Sequence, residues 1–210
     1  MGRPREFDEA AVLAAAADAF WSSGYEGTST RDLAACTGLT PSSIYGAYGD
    51  KRALFLRALD HYLDSTLRDR IARLDAMASP ALAIEGFFDE VVERSVGDAL
   101  QRGCLLVNSA LESSPDDVAV RKALAHELTM IETFFHRRLV AGQQAGEIPA
   151  DVPAADAARH LLAVLLGLRV LARVRPERAL LTGAVRQALT TLGMRQSPGD
   201  VVETALSTNQ

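Results

Sequence analysis

The sequence predicts an all-α chain, and three observations carry that reading. Apolar residues recur at three- and four-residue spacing along most of its length. Ser, Thr, Asp or Pro marks nearly every expected helix start. No strand-like alternation of apolar and polar residues persists anywhere. About nine helices are expected.

Asp8 caps the first helix, with Phe7 and Val12 placed as a hydrophobic staple. Its inward face is Val12, Ala15 or Ala16, Ala19 and Phe20, and Gly24 ends it. Ser29 caps the second helix, and Asp32 three places on completes a capping box. Cys36-Thr37-Gly38-Leu39 is a tight turn in which Gly38 supplies a positive φ; Cys36 is expected to be core. Thr40 caps the third helix, with Pro41 in the first position, where a missing N–H costs nothing. Asp50 caps a long helix reaching about residue 76, striped by Leu56, Leu59, Leu63, Leu67 and Leu74.

Ser79-Pro80 starts the next helix, which buries Ile84, Phe87, Phe88, Val91 and Val92. Gly103 opens a shorter one through Leu111. Ser114-Pro115, with Asp116 and Asp117 in the first turn, begins another, facing inward with Leu124, Leu128, Ile131, Phe135 and Leu139. Residues 142–149 form a loop. Pro153 and Pro176 open the last two helices, roughly 153–174 and 176–194. Residues 197–210 are polar, lack periodicity and are expected to be disordered.

The chain has 210 residues, of which 48% are hydrophobic, enough for a sizeable core. Two distant cysteines give neither a disulfide framework nor metal-ligand spacing. The opening residues are charged, and the longest apolar run, 161–168, stops at Arg169. That is far short of a membrane span, so the cytoplasm is the expected compartment. Four histidines (His61, His126, His136, His160) and many carboxylates occur without the spacing of a metal site, a nucleophile–base set or a phosphate loop. The chain reads as no enzyme, with no cofactor.

Residues 28–55 say most about function. Two short helices joined by a tight turn, followed at once by a third, are how a helix-turn-helix DNA reader is built. The second short helix is too brief to be stable alone. An exposed turn carrying Ser42, Ser43 and Tyr45 suits entry into a groove. Net charge is −5, and residues 1–60 hold six basic against eight acidic side chains. That excludes histone-like wrapping. It is compatible with a specific reader that holds phosphates by helix N-termini and hydroxyls.

This stretch resembles the N-terminal domain of the tetracycline-repressor (TetR/AcrR) family of bacterial regulators. The matching pieces are Phe20-Trp21, Gly24-Tyr25, Thr28-Ser29, Asp32-Leu33-Ala34, Gly38-Leu39-Thr40, Ser43-Ile44-Tyr45, Tyr48-Gly49-Asp50-Lys51 and Leu54-Phe55. The resemblance implies a reading domain at 1–52, a helical effector-binding and dimerisation domain at 53–196, and the tail at 197–210. It places Thr40, Pro41, Ser42, Ser43, Tyr45 and Ala47 near the major groove of a double-stranded operator. The basic residue often found around Pro41, and the His or Asn around Ala47, are missing here. Base readout by bidentate contacts is therefore thin, and hydroxyls, water and DNA shape gain weight.

Tyr45 reads as a phosphate contact, whereas Tyr48 aligns with a core aromatic. Lys51 sits in a first helical turn, where the macrodipole disfavours a cation unless a phosphate reverses the sign. Thr30 has the same phosphate role, and Arg3 and Arg5 form an arm that either reaches a minor groove or stays solvated.

In the second domain, Leu161, Leu162, Val164, Leu165, Leu166 and Leu168 surround their helix almost completely. One face then serves the core and the other a second copy, approached closely at Gly167. His160 belongs to the core or to that interface. The resemblance implies a homodimer through the last two helices, about 153–194. Residues 102–112 resemble a Gly-Cys-Leu-x-x-Asn stretch of one subgroup of the family. Asn108 either bonds neighbouring backbone or lines a pocket, and Cys104 is either a buried thiol or a redox switch. The resemblance implies a small-molecule pocket, whose expected lining is Tyr62, Phe87, Phe88, Val91, Met130 and Phe134, with Cys104 and Asn108; ordinary core packing is the alternative for most of these side chains taken singly. The leading function is a repressor released from a palindromic operator by an effector. The alternatives are a helical interaction module that has lost DNA binding and a redox-sensing regulator.

Overall fold

The computed structural model describes residues 7–194, and every regular element among them is helical. The helices are α1 (Glu9–Gly27), α2 (Thr30–Thr37), α3 (Pro41–Tyr48), α4 (Lys51–Leu63), α5 (Asp69–Asp75), α6 (Pro80–Gly97), α7 (Leu105–Glu112), α8 (Val118–Gln144), α9 (Ala154–Val174) and α10 (Arg178–Thr191). The all-α expectation holds. The Arg3/Arg5 arm and the 197–210 tail lie outside the described residues.

The caps sit where side-chain chemistry places them. Asp8, Thr40, Asp50, Ser79 and Asp117 each accept a backbone N–H of the turn they start. Ser29 and Asp32 form a complete capping box. Gly24 (φ 74°) breaks α1 inside its range, and Gly38 (φ 69°) ends α2 in the left-handed conformation. Several boundaries differ from the sequence reading: α1 runs past Gly24 to Gly27, and α8 runs to Gln144, into the expected loop. Asp117 is the cap of α8 rather than part of its first turn, and Glu177, not Pro176, precedes α10. The long helix from Asp50 is interrupted by a π-helical turn, Asp64–Arg68, between α4 and α5. There the hydroxyls of Ser65 and Thr66 donate to the Tyr62 carbonyl, competing with the regular ladder.

α1, α2 and α3 pack with the start of α4 around Phe20, Leu33, Ile44, Leu54 and Phe55. Phe20 and Tyr25 both meet the Phe55 ring edge-on. The remaining helices close around Phe87, Phe88, Phe134 and Phe135, four fully buried rings with centroids 5.0–6.0 Å apart. Phe7 lies beside Tyr48 at 6.4 Å. Cys36 departs from expectation: it is exposed. Leu33 is the one buried residue of α2, so the last turn overhangs the small core, and the Cys36 thiol donates to the Leu33 carbonyl.

Candidate nucleic-acid interface and cavity

α3 is fastened to the core by Ile44 and Tyr48 alone, one helical turn apart. Its other residues, Pro41, Ser42, Ser43, Tyr45, Gly46 and Ala47, are exposed, as is the cap Thr40. The outward face carries hydroxyls and no charge. Thr40 Oγ1 lies 2.9 Å from both Ser42 Oγ and Ser43 Oγ. Tyr45, 47% exposed, shares a hydrogen bond of 3.1 Å between its hydroxyl and Thr30 Oγ1, which ties α3 to the start of α2. Tyr48 is buried, and burial raises its phenol pKa. Lys51 Nζ stands 4.5 Å from the centre of the Tyr25 ring. This cation–π contact offsets the unfavourable macrodipole and holds the ammonium against α1.

The second feature is a small cavity, with about 40 Å³ of free space, between α4, the π turn, α5, α6, α7, α8 and α9. That space holds about three waters. Tyr62, Phe87 and Cys104 border it, as the sequence suggests, together with Thr66, Leu106, Val107, Leu165 and Leu166. Phe88, Val91 and Phe134 do not border it, because they are spent on the aromatic core. Met130, half-buried, packs against that core from elsewhere on α8. Asn108 bonds backbone, donating from Nδ2 to the Arg102 carbonyl at 2.8 Å. Burial, chiefly, and then the nearby Cys104 push the Tyr62 phenol far above its ordinary pKa.

All three charged lining residues, Arg70, Arg94 and Arg169, escaped the sequence reading. Arg70 is buried and its Nε donates to Glu90 at 2.9 Å, while Arg73 reaches the same carboxylate. Burial lowers the Arg70 pKa; the Glu90 hydrogen bond opposes this, and repulsion from Arg169 and Arg94 adds to it. Their signal was spacing. Arg70 and Leu74 share one face of α5, as Arg169 and Leu165 share one face of α9, so each is a cation on an apolar stripe.

The segment 102–117 fastens this cavity to the reading unit. Arg102 stacks over the Trp21 ring at 3.9 Å and pairs with Asp18 of α1 at 2.5 Å. Glu112 Oε2 accepts the Tyr25 N–H at 3.1 Å and fills the space beside Gly24. Asp117, the cap of α8, also accepts from Arg52 in the first turn of α4. A third surface is apolar and open: Val107, Ala110 and Leu111 of α7, Leu128 of α8, and Leu166, Gly167, Val170 and Leu171 of α9 line one groove. Leu111 and Val174 are about 70% exposed (69% and 73%). His160 lies on the exposed side of α9, which removes it from the core. Among the described residues no cluster of His, Cys, Asp or Glu is placed to hold a metal, and no helix is long and apolar enough to cross a membrane.

A two-helix reader with a turn, set on a helical body containing a cavity, defines a helix-turn-helix transcriptional regulator. Comparison with known proteins makes this specific. Residues 12–58 match the model of bacterial regulatory proteins of the tetR family, and residues 80–188 match a tetracyclin repressor-like C-terminal domain. The chain belongs to the TetR family. It is 34% identical over 193 residues to the uncharacterized HTH-type transcriptional regulator YezE of Bacillus subtilis (strain 168), covering 91% of this chain and all of that one. It is 31% identical to the HTH-type transcriptional repressor ComR of Escherichia coli (strain K12), covering 91% of this chain and 90% of ComR. Among solved structures, a cysteine mutant of the TetR family regulator CifR complexed with 26-base-pair operator DNA superposes with a TM-score of 0.82. The identity is 37%, over 91% of this chain and all of that one.

Proposed function

We propose that this chain is a homodimeric transcriptional repressor, released from a palindromic operator when a small-molecule effector enters the cavity. The observation that carries the reading is α3: two buried residues pin it, and an uncharged hydroxyl face is left to a groove. The repressor name of ComR and the operator DNA bound to CifR support it. Thr40, Pro41, Ser42, Ser43, Tyr45 and Ala47 are assigned to the major groove, and Thr30, Tyr45 and Lys51 to flanking phosphates. The reading unit is assigned to 1–52 and the effector-binding and dimerisation body to 53–196.

Dimerisation uses α9 and α10, and the apolar groove continues that surface onto α7 and α8. A two-fold dimer sets its recognition helices about 34–36 Å apart, one turn of DNA. Free space of about 40 Å³ is too small for most organic ligands, so an effector must part the lining helices. α7, tied to α1 through Arg102 and Glu112, passes that displacement to the reader. Release follows only if the effector binds the displaced form better than the DNA-bound form. The compartment is the cytoplasm, and no catalytic step is assigned. A redox variant of this mechanism through Cys104 is the second reading, favoured by the thiol's place in the cavity wall.

The test is operator affinity of the double variant Tyr45→Ala, Lys51→Ala. Loss of two phosphate contacts lowers affinity at least about tenfold and flattens the salt dependence, with fold and dimer intact. Unchanged affinity in a folded dimer removes these residues from the interface.

A further inference from the structure

The cavity's charge says more about its occupant than its shape does. Three of the side chains bordering it are guanidinium groups, Arg70, Arg94 and Arg169, and none is a carboxylate. Arg70 has Glu90 as counterion. Arg169 does not: it is 8% exposed, and its recorded side-chain partner is a neutral one, the Ser95 hydroxyl at 3.2 Å from Nη1. Ser95 is itself occupied, donating to the Val91 carbonyl. No carboxylate among the described residues forms an ion pair with Arg169 or with Arg94 on the more exposed side. The acids near them are engaged: Glu90 by Arg70 and Arg73, and Glu93 by Arg178.

A buried guanidinium without a counterion is unfavourable unless something else supplies the charge. The rest of the wall is apolar or aromatic, from Phe87, Leu165 and Ile131 to the Tyr62 ring. We infer that the cavity takes a small organic acid, whose apolar body lies among these side chains and whose carboxylate pairs with Arg169 and Arg94. This rests on the effector-site reading above and gives that site its ligand class. The Tyr62 hydroxyl, kept protonated by burial, adds a neutral donor to the same wall. The planar guanidinium of Arg169 matches a carboxylate in a bidentate geometry that Lys cannot reproduce.

The test uses matched probes: hexanoate with hexanamide, and benzoate with benzamide, titrated calorimetrically against the full-length protein. A charge-assisted contact predicts a preference of about tenfold or more for each acid over its amide. In Arg169→Met that preference falls several-fold, to what Arg94 alone supplies, while the Tm of the unliganded protein holds or rises, since an unpaired buried charge has been removed. Equal binding of acid and amide, or no binding by any of the four probes, overturns the inference. So does an undiminished preference in Arg169→Met. Arg94→Met, at an exposed position, serves if Arg169→Met fails to fold: a reduced preference supports the assignment and an unchanged one overturns it. Operator release is read in parallel. Acids that bind without releasing operator leave the anion site standing and remove the effector reading. Amides that release operator as well as acids do the reverse.

Discussion

The reading unit and the helical body solve opposite problems with the same helices. In α1–α3 the functional groups point outward, and the caps that set the helices are fixed by neighbours a few residues away: Thr40 by Ser43, Ser29 by Asp32. In the body the functional groups point inward and are brought together from α4 to α9. The reader closes around a small core of Phe20, Leu33, Ile44, Leu54 and Phe55. The body needs a large core because it must hold unfavourable charge in place. The two differ, accordingly, in what breaks them.

The largest effect is expected in the body's aromatic core. Phe87 is fully buried, meets three other Phe rings and lies under the Arg70 guanidinium at 5.3 Å. Phe87→Ala costs about 3–5 kcal/mol in urea unfolding. A cost under about 1 kcal/mol shows that the body's packing is looser than described.

Next is Glu90, the anion that keeps Arg70 buried. Burial pushes its pKa up, but hydrogen bonds from Arg73 and Arg70 outweigh this and hold it below the usual value of 4.5. A depressed carboxylate contributes stability that is fully present above the unfolded pKa and lost as pH falls through the folded one. Wild type should therefore lose stability below about pH 4.5, while Glu90→Gln shows a shallower acid limb. At pH 7 the variant loses about 2 kcal/mol, less than a fully buried pair, because Glu90 is one-third exposed. Parallel pH–stability curves for the two proteins refute this.

At the junction, Gly24→Ala forces a Cβ into a positive-φ site 2.6 Å from Glu112 Oε2. A loss of about 2 kcal/mol is expected from the backbone, since φ 74° with ψ 168° is a region essentially confined to glycine, with a further part that vanishes in a Glu112→Ala background. Strict additivity of the two changes denies that Glu112 is the contact. The smallest effect belongs to the reader: Thr40→Ala removes the α3 cap and costs about 1 kcal/mol of thermal stability. No measurable change means that the Ile44 and Tyr48 anchors hold α3 without it.

The same contrast explains what the sequence disclosed. Caps and turns are local, so Asp8, the Ser29–Asp32 box, Gly38, Thr40–Pro41 and Asp50 were legible, and so was the family resemblance they compose. The cavity is a long-range product. Arg70 and Arg169 are each a cation on an apolar stripe, and only folding sets them in one wall. The apolar residues of α6 and α8 carry no local mark separating core from lining, so the sequence places Phe88, Val91 and Phe134 in the pocket along with Phe87. The π turn was hidden because Ser65 and Thr66 interrupt no apolar stripe; their hydroxyls act on backbone carbonyls. Cys36 was misjudged because helical position suggests a face but does not say how far the covering helix extends.

The most direct test of the dimeric reader is selection of bound sequences from a random duplex library, with purified protein at moderate salt. The account predicts a palindrome whose half-sites are about one helical turn apart. Recovery of no sequence preference from a well-folded dimer would contradict it.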